Sequence, residues 1–239
     1  TDFLWFDALG FSQVFLISLF SKIGLFLVST IIFFLFMSIN LWISSKIIVK
    51  DQISFRFKLL IAIILSLLIG LRFSSGWLKF LTFINQAPFN FTDPIFMKEV
   101  SFYIFSLPFY LLILSFLISC VVMTSIFVLL DYMKFYLKHL FKPVEINQGI
   151  PDLKIPIVPT FDFKALFSKT KVITHMGILM SLFFVLLAFK HYLARFSIMH
   201  SEQGMVVGAG YSDVMAYLPM IKIMMFLAII IAALFLIWV

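Results

Sequence analysis

The sequence predicts an all-α integral membrane protein, a polytopic bundle of about five transmembrane helices. Hydrophobic residues make up 63% of the 239 and charged residues only 12%, too little polar surface for a water-soluble domain. Five long runs contain no charged residue at all, and basic residues flank them. Lipid leaves helices as the main way to satisfy a spanning backbone. The runs are Ile23 to Ser45, Leu59 to Leu71, Val100 to Leu130, Val172 to Phe189 and Ile223 to Val239.

The same composition argues against several function classes. The net charge of +7 comes from basic residues beside apolar runs, where anionic lipid headgroups account for them, so no nucleic-acid partner is expected. The single cysteine, Cys120, lies inside the third run, which excludes a disulfide framework or a cysteine metal site within this chain. No pair of histidines has the i, i+4 spacing of a helical zinc site. We therefore expect neither a metal nor a cofactor.

The loop charges predict an orientation. Lys and Arg number one before the first span, then four, three, seven and three between and after the following spans. Because positive residues in short loops stay cytoplasmic, segments 46–58 and 133–171 should face inward. The N-terminus, 72–106 and 190–216 should face outward. Since the chain starts at Thr1 on the outward side, we expect it to be cut at both ends and an earlier span to precede it.

The first predicted span covers about 20–45 and the second about 55–75. The second is unusual, because only 13 residues, or roughly 20 Å of helix, separate Lys58 from Arg72. We expect both side chains to snorkel from the two ends of this helix. A thinned or water-filled site at Arg72 is the alternative.

The third span is predicted at about 106–131, with Pro108 in its first turn, where a missing N–H does no harm. Residues 132–170 should then form a cytoplasmic basic amphipathic helix followed by a proline-rich loop. A helix that docks on a partner, or a calmodulin-like target, is the alternative for the amphipathic part. The fourth and fifth spans are predicted at about 171–191 and 216–239.

A few polar residues lie near the inner ends of the spans. Asp131 should pair with Lys134, three residues further along the same helix. Asn40 should form an interhelical hydrogen bond, and His175 should bond to a neighbouring helix or to water. No ionisable residue is expected deep in any span, which argues against a proton or ion relay.

The outward segment 76–105 is rich in aromatic and turn residues, which suggests a loop that rests at the headgroups or folds over the mouth of the bundle. Its string Thr92-Asp93-Pro94-Ile95-Phe96 is followed by Glu99-Val100-Ser101-Phe102-Tyr103-Ile104-Phe105-Ser106-Leu107-Pro108-Phe109. Two other strings stand before the first span and the last one. They are Asp2-Phe3-Leu4-Trp5-Phe6, with Gly10-Phe11 and Val14-Phe15, and Gly208-Ala209-Gly210-Tyr211-Ser212-Asp213-Val214, with Leu218-Pro219.

These three strings, in this order, resemble the uncharacterised protein family (UPF) number 0182, over residues 2 to about 219. Glu99 and Ser212 stand where the pattern has Asp and Thr. The resemblance implies a protein of roughly seven spans with a large extracytoplasmic domain, of which this chain would supply spans two to six. It implies no reaction, substrate or cofactor. The matching residues of unknown role are Asp93, Pro94, Phe96, Phe102, Tyr103, Pro108, Gly208, Gly210, Tyr211, Asp213 and Pro219.

Three functions fit the sequence. We favour a non-catalytic, multi-pass module of the cell membrane that anchors or assembles an extracytoplasmic domain with partners, with the bilayer and other proteins or further copies of itself as contacts. A transporter or channel is the first alternative, and an enzyme acting on lipid or envelope precursors is the second. The enzyme would need charged residues to converge beneath the aromatic loop. The residues in question are Arg72, Asp93, Glu99, His191, Arg195, Glu202 and Asp213.

Overall fold

A computed structural model describes residues 2–48, 55–140, 170–201 and 208–238, apart from the side chains of 135–140 and 170. Within these ranges the fold is helical, and the only extended pairing is an isolated bridge between Thr92 and Glu99. The helices are α1 (Asp2–Ala8), α2 (Ser12–Ile47), α3 (Phe55–Ser74), α4 (Trp77–Ile84), α5 (Leu107–Leu140), α6 (Thr170–Ala194) and α7 (Leu218–Trp238).

Five of these helical segments are long and apolar enough to cross a membrane, as the sequence predicts. Short turns of other helix types extend three of them. π-helical turns at Phe102–Ser106 and Asp213–Tyr217 lead into α5 and α7, and a 3₁₀ turn at Arg195–His200 follows α6. The first long helix, α2, begins at Ser12 and has 36 residues, or about 54 Å of helix, so it extends well beyond a ~30 Å hydrocarbon core.

The bundle is built from two helix pairs joined by α5. Helix α2 packs along α3, α6 packs along α7, and α5 contacts both α2 and α6. Phe33 and Met37 of α2, Ala62 of α3, and Val128 and Tyr132 of α5 form the centre of the largest buried cluster. Most other large apolar side chains remain exposed on the outside of the bundle, as expected for helices that face lipid.

One close approach fixes the α2–α3 pair. Gly70 of α3 lies against Phe26 and Thr30 of α2, and a Cβ at this position would collide with the Thr30 hydroxyl. Glycine is therefore required by space, since small residues let helix backbones approach closely.

We call the end of the bundle that carries residues 72–106 and 190–216 the outer end, and the opposite end the inner end. At the outer end, segment 76–105 is not all loop, because α4 occupies Trp77–Ile84. At the inner end, α5 continues through Asp131 to Leu140, so the first part of the predicted amphipathic segment is one helix with the third span. The rest of that prediction, 141–169, lies outside the described residues.

Candidate functional site

The motif at the outer end is organised around the Asp93 carboxylate. One oxygen accepts hydrogen bonds from the backbone N–H groups of Ile95 (2.8 Å) and Phe96 (2.6 Å). The other accepts from the N–H of Lys98 (3.0 Å) and from the Tyr103 hydroxyl (2.5 Å). Aspartate suits this turn because its short side chain reaches N–H groups two and three residues further on. The carboxylate thus ties the loop to the first turn before α5.

These bonds explain the electrostatics of the buried Asp93. Its burial by itself would raise the pKa, because desolvation disfavours the charged carboxylate. The hydrogen bonds from Tyr103 and from three backbone N–H groups outweigh burial and hold the pKa of Asp93 below its ordinary value. Four donors already occupy the carboxylate, so Asp93 is suited to structure and not to proton transfer.

Glu99 closes the same loop from its other side. Its Oε1 accepts hydrogen bonds from the backbone N–H groups of Phe89 (2.8 Å) and Asn90 (3.2 Å). The pKa of the Glu99 carboxyl is lowered, and the largest cause is the hydrogen bond that it accepts from the backbone N–H of Asn90. The φ of Asn90 is +59°, in the left-handed region that asparagine tolerates better than most residues. Glu99 therefore supports a tight turn at Asn90.

Aromatic side chains pack this loop onto the mouth of the bundle. The Phe196 ring meets Phe96 at 5.0 Å and Phe102 at 5.1 Å between centroids, both edge to face. The Arg195 guanidinium lies over the Tyr192 ring (4.0 Å), as well as near Phe196 (4.5 Å). The outer loop, the start of α5 and the end of α6 are thus joined in one packed unit, which we call the outer cap.

The glycine string before α7 forms a second, smaller structure. Gly208 has a φ of +146°, which side-chain-bearing residues rarely adopt. The buried Asp213 carboxylate accepts a hydrogen bond from the N–H of Gly210 (3.0 Å). Asp213 therefore lies at the start of the last helical segment, where a negative charge also complements the helix dipole. Tyr211 is 81% exposed.

The structure brings only some of the sequence-predicted residues together. Asp93, Phe96, Phe102 and Tyr103 belong to the outer cap, next to Arg195. Arg72 lines a separate groove between α3 and α5. Asp213 binds its own turn, and Glu202 lies outside the described residues. The charged residues that the structure describes at the outer end are thus divided between the outer cap, the groove beside Arg72 and the turn of Asp213, and they do not form one catalytic group.

A second polar site lies at the inner end, and the ion pair at its centre was not predicted from the sequence. Lys58 Nζ is 2.7 Å from Asp131 Oδ2, and the two side chains are 5% and 7% exposed. Ser44 Oγ donates to the same carboxylate oxygen (2.6 Å), and Lys58 Nζ donates to Ser45 Oγ (2.8 Å). The predicted pair between Asp131 and Lys134 is therefore wrong, and so is the prediction that Lys58 snorkels. Both side chains point inward between α2, α3 and α5.

His175 extends this polar region along α6. Its Nδ1 is 2.8 Å from the Tyr132 hydroxyl, and its Nε2 is 3.0 Å from Asn40 Oδ1. Asn40 Oδ1 accepts only, so Nε2 carries the proton and Nδ1 accepts from the tyrosine. Asn40 Nδ2 in turn donates to Phe36 O (2.7 Å). The predictions that Asn40 bonds between helices and that His175 bonds to a neighbouring helix are confirmed.

A signal for this inner network existed in the sequence. Asn40 and Ser44 are four residues apart and so share one face of α2, and Asp131 and Tyr132 are adjacent in α5. Lys58 and Asp131 carry opposite charges, and the sequence places both at the inner ends of their spans. The sequence alone, however, offered Lys134 as a local partner for Asp131, and it could not show that Lys58 of α3 packs against the carboxylate. Among the described residues, no three His, Cys, Asp or Glu side chains come together as a metal site.

Comparisons with known proteins agree with the motifs. The model of the uncharacterised protein family UPF0182 matches residues 1–239. A UPF0182 protein of Methanospirillum hungatei is 31% identical over 243 residues, which cover 99% of this chain and 26% of the relative. One from Desulforamulus reducens is 29% identical over 265 residues, covering 97% and 26%. No solved structure matches the chain.

The chain spans about a quarter of the length of these curated relatives. The family match covers every residue, including the three motifs and both polar sites. The chain therefore belongs to the uncharacterised protein family UPF0182.

Proposed function

We propose that this chain is a non-catalytic module of the cell membrane that anchors and positions the extracytoplasmic part of a longer protein. In this arrangement the five long helices cross the bilayer, the inner end faces the cytoplasm and the outer cap faces outward. The charge asymmetry of the loops supports this orientation. The relatives are about four times longer than the chain, which leaves room for a domain to be positioned.

The observation that carries the proposal is the use of the motif residues in the outer cap. Asp93 binds three backbone N–H groups and Tyr103, and Glu99 binds two more N–H groups. A catalytic carboxylate needs a free lone pair or a proton that reaches a substrate. Asp93 and Glu99 instead order the loop, and Asp93 fixes it to Tyr103 in the turn that leads into α5. A rigid outward surface is what a positioning module requires.

A transporter remains the second candidate because of the inner network. Ionisable groups inside a bundle of spans are costly and frequently functional. Lys58, however, is the fourth residue of α3, only about 5 Å along the helix from its start. A pair so close to one end, already satisfied by Ser44 and Ser45, resembles a structural tie between helices more than a relay across the membrane.

Cross-linking of the intact protein in its membranes tests the proposal. The exposed Lys98 lies in the outer cap, and we expect it to cross-link to extracytoplasmic residues beyond this chain or to a partner protein. Asp93→Ala removes the acceptor that orders the loop, so it should lower the yield of these cross-links. Lys46 at the inner end serves as the control, and its cross-links should not change.

Two results would contradict the proposal. Lys98 cross-links that persist unchanged in folded Asp93→Ala protein would show that the outer cap does not position anything. A solute flux in proteoliposomes that is abolished when Lys58 and Asp131 are both replaced by apolar residues would favour the transporter. The anchoring function expects this double variant to retain its Lys98 cross-links.

A further inference from the structure

The outer end has a groove of about 400 Å³ between α3, α4 and α5, which combines cations with an apolar floor and which we call the Arg72 groove. A separate cavity of about 430 Å³ lies between α6 and α7, and its lining residues are uncharged. The volume of the Arg72 groove lies in the range of small-molecule sites. Its lining residues are Ile69, Arg72, Phe73, Ser75, Gly76, Lys79, Leu111, Leu112, Ser115, Phe116 and Ser119.

The sequence of the α3–α4 corner builds this groove. Gly76 packs directly on Leu112, and a Cβ at that position would overlap the leucine side chain. This contact holds the corner on α5 and places Arg72 and Lys79 on the two sides of the glycine. Below them, the rings of Phe73 and Phe116 pack at 4.8 Å between centroids and form the floor.

The charge at the rim is not neutralised by the protein. Arg72 and Lys79 are exposed, and within the described part of the chain neither side chain has an ion pair or a hydrogen bond. The groove lining contains no carboxylate. A ligand with a negative head would find at least two cations and no competing acid.

The lower part of the groove suits a hydrocarbon chain. Ile69, Phe73, Leu112 and Phe116 supply its apolar surface. Ser115 and Ser119 also line it, but each hydroxyl donates to a carbonyl of its own helix, at 2.7 and 2.8 Å. Their donors are therefore satisfied without water, and the wall tolerates an apolar occupant. The groove thus runs from a cationic rim to an apolar floor along α5.

We propose that the Arg72 groove binds an anionic phospholipid, with its phosphate at Arg72 and Lys79 and an acyl chain along the floor. Guanidinium and ammonium groups are suited to phosphate oxygens, the first through two parallel hydrogen bonds. A zwitterionic lipid would gain less, because its own cation opposes the rim. This site is independent of the anchoring function, which rests on the outer cap.

Native mass spectrometry of the intact protein in detergent tests the site, with phosphatidylglycerol and phosphatidylcholine as probes. A basic residue near an anionic lipid surface contributes roughly fivefold in affinity. Arg72→Gln with Lys79→Gln should therefore weaken phosphatidylglycerol binding roughly 25-fold and phosphatidylcholine binding much less. Lys190→Gln with Lys222→Gln removes two exposed cations elsewhere, and this control should retain the preference for the anionic lipid.

A second variant tests the apolar part of the groove. Ser115→Trp places a bulky ring in the groove from an exposed position and should displace both lipids while the helical circular dichroism is preserved. Equal binding of the two lipids, or equal loss in the control double variant, would overturn the proposal. Glycerol phosphate that competes fully with phosphatidylglycerol would assign the rim to a soluble phosphate. An acidic protein segment cross-linked at Lys79 in the membrane, in place of lipid, would also overturn it.

Discussion

The buried pair of Lys58 and Asp131 makes a strong prediction about stability. Asp131→Leu removes the carboxylate that lies 2.7 Å from the Lys58 ammonium, on a side chain that is only 5% exposed. Breaking a buried pair by removing one partner costs about 3–5 kcal/mol. For a domain of this size, each kcal/mol lowers the midpoint of thermal denaturation by about 2–4 °C. The single variant should therefore lose roughly 6–20 °C.

The double variant Lys58→Met with Asp131→Leu should behave differently. It replaces both charges by apolar side chains of similar volume, an exchange that is often neutral or stabilising by about 1–4 kcal/mol. We expect its thermal midpoint in detergent, followed by circular dichroism, to return to that of the parent protein or above it. The coupling energy between the two positions should be several kcal/mol, as in other contacting buried pairs.

Lys134→Met is the matched control. It removes the cation that the sequence placed beside Asp131, and it should change the midpoint by no more than surface substitutions do, about 0.5 kcal/mol. If Lys134→Met destabilised the protein as much as Lys58→Met, the carboxylate would have its partner on α5 and the interhelical pair would be wrong. A double variant no more stable than the single ones would likewise refute the reasoning.

Three further predictions concern packing and hydrogen bonds. Gly70→Ala forces a Cβ into the Thr30 hydroxyl and should cost about 1–3 kcal/mol in thermal stability, whereas Gly24→Ala, with open space around it, should not destabilise. Tyr132→Phe leaves an imidazole nitrogen unsatisfied and should cost about 1–3 kcal/mol by the same measurement. The pKa of Asp93 is lowered on folding, so its stabilisation is complete above its ordinary value of 3.8 and is lost as the pH falls through the lower folded-state pKa. Hydrogen exchange of the outer cap, corrected for its intrinsic pH dependence, should therefore be constant near neutral pH and rise only in acid; faster opening between pH 7 and 5 would contradict this.

The helical class and the number of long helices could be predicted because each depends on local composition. A long run without charged residues indicates a membrane-spanning helix from its own composition, independently of the contacts that it makes with the rest of the chain. The short second run lies within α3, a helix that covers Phe55–Ser74, and the sequence predicts a span of about 55–75 there. The outer motif could be recognised from the order of its residues, but its role could not be predicted. Its four hydrogen bonds converge on the Asp93 carboxylate only after the loop has folded.

The sequence alone determined that this protein is a bundle of apolar helices and which family it belongs to, since both follow from the order of residues along the chain. Tertiary structure decided which side chains meet. Asp131 bonds Lys58, 73 residues away, and not Lys134, three residues away, because the packing of α3 on α2 brings the lysine within 2.7 Å. In an apolar bundle a buried charged group that lacks a partner is costly in free energy. Only the packing of the helices determines which partner lies within reach.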